Sequence, residues 1–248
     1  MLPSLGLELA LAACMFVGAA LYTSVGHAGA SAYIAMMALL GVASTAMRPT
    51  ALVLNVVVAS FASWRFIRAD LFRGRTLWPF LIGAIPLAFL GGSIKLPGEF
   101  YRPLVGVVLL LGAVRLLWPT PVRSAIQWSD PPIPVAVLCG AGIGLLSGLT
   151  GTGGGIFLSP LLMFAGWSNV KTASGVAAVF ILVISIFGLL GNISSVNALP
   201  PDLPLYIGAV MLGAVVGTTL GIKLPTTMIL KALGLVLVVA GCKLIGVY

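Results

Sequence analysis

The chain has 248 residues, of which 60% are hydrophobic and only 7% charged, with a mean hydropathy of +1.19. No water-soluble globular domain of this size carries that balance, so the bilayer is its solvent. The formal net charge of +8 does not point to nucleic acid, because the basic residues lie between hydrophobic segments and form no stripe on a soluble face.

A spanning helix takes about 20 mostly apolar residues. Ten candidate segments follow one another near 5–25, 29–46, 49–67, 77–94, 101–118, 133–150, 153–167, 172–192, 203–222 and 227–247. The first has no basic residue before it and is longer than the apolar part of a secretory signal, so it reads as a retained helix. The second opens on SVGHAGAS, Ser24 to Ser31, and the third carries Asn55 in an apolar stretch. A Pro-rich polar linker over 119–132 separates the fifth and sixth segments. The seventh follows LTGTGGGI, Leu149 to Ile156, and is interrupted by Pro160. Segments two and seven are therefore either complete crossings or broken, re-entrant helices. Cys14, Cys139 and Cys242 sit in apolar segments without metal-ligand or redox spacing, which argues against a disulfide framework.

The chain repeats itself at an offset near 125 to 128. GVVLLLGAVRLL, Gly106 to Leu117, matches GLVLVVAGCKLI, Gly234 to Ile245, and Lys95-Leu96-Pro97 matches Lys223-Leu224-Pro225. Cys14 and Gly26 likewise match Cys139 and Gly151. This predicts an all-α integral membrane fold of two five-segment repeats, 1–118 and 133–248. An odd number of crossings per repeat sets the two in opposite orientations.

With ten crossings, one side collects Arg65, Arg68, Arg73, Arg75, Arg115, Arg123, Lys171, Lys223 and Lys231, and the other Arg48, Lys95, Arg102 and Lys243. Nine against four makes the first side cytoplasmic, with both termini outside. The tryptophans Trp64, Trp78, Trp118, Trp128 and Trp167 fall at segment ends or in connecting loops on that same side, where indole rings favour headgroups.

Paired Gly-rich interruptions in corresponding places are the sequence mark of a transporter's substrate site. Glycines let the chain unwind and expose N–H groups, and a helix starting after them offers its positive end to an oxyanion. The candidate binding residues are His27, Ser31, Asn55, Thr152, Gly153, Gly154, Gly155, Ser159 and Ser174. His27, the only histidine, aligns with Thr152; it either serves the anion or a proton, or is held by a backbone carbonyl between helices. Arg48 and Lys171 follow the two short segments and either draw anions to the vestibules or anchor helix ends. Glycines spaced by four, Gly140, Gly144 and Gly148, and Gly213, Gly217 and Gly221, read as packing positions. The acids Glu8, Asp70, Glu99, Asp130 and Asp202 all lie near segment ends or in loops. No catalytic group, metal cluster or cofactor motif stands out.

VGHAGASAY in the first half, and GLTGTGGGIFLSPLL followed by NVKTASGVA in the second, resemble the TauE/SafE family of sulfite exporters over nearly the whole chain. Gly151, Gly153, Gly154, Gly155, Pro160 and Lys171 are the positions carried on that resemblance. His27, Ala28 and Ala30 depart from the family's denser first-half glycine run. The resemblance implies a multi-pass protein of the bacterial inner membrane that moves sulfite, sulfoacetate or a related sulfur-containing or organic anion. The partners expected are a small anionic substrate and membrane lipids, with no nucleic acid, and a homo-oligomer is left open. A membrane enzyme or scaffold handling a sulfur compound, or a passive anion channel, are the alternative readings.

Overall fold

A computed structural model describes residues 5–24, 26–117, 128–220 and 226–246. The described residues build ten α-helices: α1 (Leu5–Ser24), α2 (Ala30–Leu39), α3 (Ser44–Arg68), α4 (Gly74–Ser93), α5 (Gly98–Leu117), α6 (Ile133–Thr150), α7 (Gly155–Phe164), α8 (Val170–Gly191), α9 (Leu203–Leu220) and α10 (Thr226–Ile245). A short 3-10 helix, Ile193–Ala198, follows α8 and was not foreseen from the sequence. Among the described residues five helices, α1, α3, α4, α6 and α8, are long and apolar enough to cross a bilayer. The helices match the predicted segments closely, with two informative exceptions. Segments two and seven shrink to 10 residues each, about 15 Å of helix, half a bilayer core. In addition, α3 begins at Ser44, which puts Arg48 inside a helix instead of between two.

Both short helices start where glycine turns the chain. Gly29 (φ 103) precedes α2 and Gly154 (φ 68) precedes α7, left-handed conformations that residues with a Cβ rarely adopt. Each short helix runs antiparallel to both its neighbours. Gly18 of α1 faces Ala32 and Met36, and Ala30 at the start of α2 meets Asn55 well along α3. In the other half Gly154 faces Ile143 of α6 and Phe180 and Ile184 of α8, whereas Gly166, beyond the end of α7, bonds Ser129, just before α6.

Glycine spacing sets the long-helix contacts. A Cβ at Gly140, Gly144 or Gly148 would strike the backbone of Phe80, Ala84 or Ala88, so α4 and α6 lie in parallel close contact. Gly213 and Gly217 meet Phe16 and Ala20 in the same way, making α9 parallel to α1. Gly221 lies outside the described residues. In contrast, α3 and α8 are antiparallel, with Leu52 near Gly188, Asn55 near Ser185 and Phe66 near Gly175. The α5–α10 pair is antiparallel too, with Gly106 near Gly241 and Gly112 near Leu237. Helix α4 also packs extensively on α8, and smaller contacts join α3 to α9, α2 to α10 and α5 to α7.

The loops sort onto two faces. Arg75 Nε lies 3.1 Å from Asp130 Oδ2, and Ser129 N–H donates to the Gly166 carbonyl. The connections after α3, before α6 and after α7 thus share one face. Lys243 Nζ donates to Leu39 O at 2.8 Å, placing the end of α10 with the end of α2. The Lys223-Leu224-Pro225 landmark, Trp118 and residues 119–127 of the linker lie outside the described residues.

Candidate functional site

The two glycine breaks meet. Between them lies a small cavity of about 10 Å³, room for the centre of a single water molecule. The first half contributes Tyr22, His27, Ala28, Gly29, Ala30, Ser31 and Asn55, and the second Thr152, Gly155, Ile156 and Ile181. Five predicted residues, His27, Ser31, Asn55, Thr152 and Gly155, therefore share one wall system although 97 or more positions separate the two groups in the chain (152 − 55 = 97).

Two side chains tie the breaks together. His27 Nε2 lies 3.1 Å from Gly155 O; a carbonyl only accepts, so Nε2 carries the proton. The ring meets Tyr22 edge-on, with centroids 6.3 Å apart. Asn55 is fully buried. Its Oδ1 accepts from Ala30 N–H at 3.1 Å, satisfying one of the free amides at the start of α2, and its Nδ2 donates to Ser185 Oγ at 3.3 Å in α8. Gly153 (φ 78) packs so tightly on that amide that a Cβ there would overlap Asn55 Nδ2. Replacing Asn55 with Ala leaves the Ala30 amide buried without a partner and is expected to lower stability by about 1–3 kcal/mol. Thermal unfolding in detergent checks this, and Asn55→Gln, which cannot place its carbonyl at the same point, should recover little.

The second break is braced by hydroxyls. Thr150 Oγ1 donates to Leu146 O at 2.7 Å and lies 2.9 Å from Thr152 Oγ1, and Tyr101 Oη donates to Thr150 O at 3.0 Å. On the first break Tyr33 Oη donates to Ala28 O at 2.6 Å. The two tyrosine bonds occupy carbonyls, those of Thr150 and Ala28, that unwinding would otherwise orphan in an apolar interior.

The remaining predicted residues do not line the cavity. Gly154 packs on Ile143, Phe180 and Ile184. Ser159 is buried one turn into α7, and its Oγ has no partner among the described residues. Ser174 Oγ donates to Val170 O at 3.0 Å, and Ser174 sits directly against Gly26. Lys171 is exposed at the start of α8. Arg48 is buried and turned towards α4: Nη1 donates to Ile94 O at 2.9 Å, and Nη2 to Gly91 O at 2.8 Å and to Gly92 O. It occupies the carbonyls that end α4, the arrangement of the anchoring reading. Sequence reasoning missed Tyr22, Ile156 and Ile181. Tyr22 carried one usable signal, since at the repeat offset of 125 it aligns with another hydroxyl residue, Ser147.

Residues 10–244 match the model of the sulfite exporter TauE/SafE family. A probable membrane transporter protein, y4hK, of Sinorhizobium fredii is 38% identical over 244 residues, covering 95% of this chain and 97% of that protein. No solved structure matches the chain. A membrane-embedded helical chain whose family match runs almost from end to end, over both glycine breaks and the cavity between them, belongs to the TauE/SafE family of sulfite exporters.

Proposed function

We propose that the chain is a secondary transporter that exports a small anion, such as sulfite, sulfoacetate or another sulfur-containing or organic anion, across a bacterial inner membrane. The observation that carries this reading is the cavity between the two glycine breaks, each break donated by a different half. Its polar lining consists of hydroxyl, imidazole and amide groups, with no carboxylate among the lining residues. Such groups can donate to an oxyanion without repelling it.

In this reading residues 1–118 and 133–248 are inverted repeats. The helix pairings support it, because exchanging the halves maps them onto one another: α4–α6 onto α9–α1, α4–α8 onto α9–α3, and α10–α2 onto α5–α7. A twofold axis in the membrane plane also requires a helix and its own counterpart to meet antiparallel, as α3 with α8 and α5 with α10 do. Rocking one half against the other around the fixed site would then expose the cavity to each face in turn. The narrowness of the cavity favours such a carrier over an open channel.

The face bearing Arg73, Arg75, Trp128 and Lys171 is the cytoplasmic one by the positive-inside rule, which places both termini outside. An anion leaving a negative-inside cell gains about 2.3 kcal/mol per charge per 100 mV, so export needs no coupling ion. Ligand binding tests the proposal first. Sulfite, thiosulfate, sulfoacetate and small carboxylates are screened for a rise in the unfolding temperature of the purified protein. A true ligand at 100 times its Kd adds about 2.7 kcal/mol to stability. At least one of these anions should do so, and a flat response to all of them counts against anion transport.

A further inference from the structure

We propose that Tyr22 is a substrate-binding residue whose phenol O–H donates to the anion in the cavity. The inference rests on the anion-transport reading and adds to it a contact that no motif marks.

Seven side-chain atoms are buried without a hydrogen-bond partner among the described residues: Tyr22 Oη, Arg48 Nε, Thr50 Oγ1, Ser63 Oγ, Ser147 Oγ, Ser159 Oγ and Asn192 Nδ2. Of the residues that carry them, only Tyr22 lines the cavity. Leaving a phenol unpaired in an apolar interior costs stability, and buried orphans of this kind call for an explanation such as a missing partner. The ring is fixed. Tyr22 is 3% exposed, in the last turn of α1 and edge-on to His27; the Ser31 hydroxyl reaches its oxygen as a donor, which leaves the phenol O–H itself without an acceptor. The residue that lines the cavity is thus held in place before any ligand arrives, which spares the entropy of ordering it. With the His27 ring and the Ser31 and Thr152 hydroxyls on the same cavity, the lining offers an acceptor-rich anion several polar contacts from both halves.

The internal repeat supplies a control. Ser147, at the position matching Tyr22, is also buried and unpartnered but does not line the cavity. The two hydroxyls share register and burial and differ in what they face.

The experiment measures binding by the unfolding shift with sulfite and with sulfoacetate, in wild-type protein, Y22F and S147A, together with the KM and maximal rate of flux in proteoliposomes. Y22F should weaken binding and raise KM by about 10-fold or more, the usual loss for one hydrogen bond to a charged group. Its maximal rate should change far less. The empty Y22F protein should unfold near the wild-type temperature, because removing a buried O–H that has no acceptor offsets the lost Ser31 contact. S147A should keep the wild-type KM. A Y22F KM within about twofold of wild type overturns the proposal, as does an equal effect in S147A or a Y22F protein that does not fold. Wild-type protein that binds and moves none of sulfite, sulfoacetate, thiosulfate and small carboxylates overturns the transport reading itself, and the assignment of Tyr22 with it; wild-type activity with an unaffected Y22F overturns Tyr22 alone.

Discussion

Gly153→Ala is expected to abolish anion flux and to lower stability by about 2–4 kcal/mol. Two costs combine. Gly153 has φ 78, a left-handed conformation in which a Cβ strains the backbone. The added methyl would also overlap Asn55 Nδ2. Asn55 cannot retreat without releasing the Ala30 amide and Ser185, the bonds that hold the opposite break and α8. The collision therefore reaches both halves of the cavity. Gly166→Ala separates the two costs, because Gly166 has a similar φ of 72 and no heavy atom within 4 Å of the point where a Cβ would stand. It should show the strain alone, about 1–2 kcal/mol, and retain flux. Unfolding midpoints of the two variants, with flux on the same preparations, check the contrast.

Arg48→Met is expected to lower stability by about 3–5 kcal/mol, the largest effect of any single charged-residue change in the chain. Met keeps much of the apolar stem but strands the buried carbonyls of Gly91 and Gly92 at the end of α4, together with the half-buried Ile94 carbonyl. The guanidinium also sits at the negative end of the α4 dipole. Arg48→Lys keeps the charge without the planar fork and should recover only part of the loss. Lys171, exposed at the start of α8, should behave differently: Lys171→Ala leaves stability nearly unchanged. Equal stabilities for Arg48→Met and wild type would show that the guanidinium does not hold α4.

The long helices were legible because an apolar run of about 20 residues has few other uses. The boundaries predicted for α6 and α9, 133–150 and 203–222, fall within two residues of those observed. The glycines spaced by four read as packing positions, without showing which helices they meet; Gly140, Gly144 and Gly148 sit in the α4–α6 contact, and Gly213 and Gly217 in the α1–α9 contact, where nothing larger fits. The shortness of α2 was harder to read: from Ala32 to Ala43 the only polar group is the Tyr33 hydroxyl, and nothing in composition shows that Gly41 turns the chain. Arg48 falls between the apolar runs of segments two and three, whereas α3 starts ahead of both and tolerates Pro49 near its start at the loss of one helical bond. In the cavity, the residues that stood out as polar against an apolar background, His27, Ser31, Asn55 and Thr152, were found. Tyr22, Ile156 and Ile181 were not, because an aromatic or aliphatic residue in a membrane helix looks like packing until its neighbours are known.

The most direct measurement of the central claim is flux through the purified wild-type protein in proteoliposomes loaded with sulfite, thiosulfate, sulfoacetate or a small carboxylate. The cavity between the glycine breaks predicts saturable release of at least one of them, faster than from empty vesicles and lost in Gly153→Ala. Release of every anion at the rate of protein-free vesicles would contradict it.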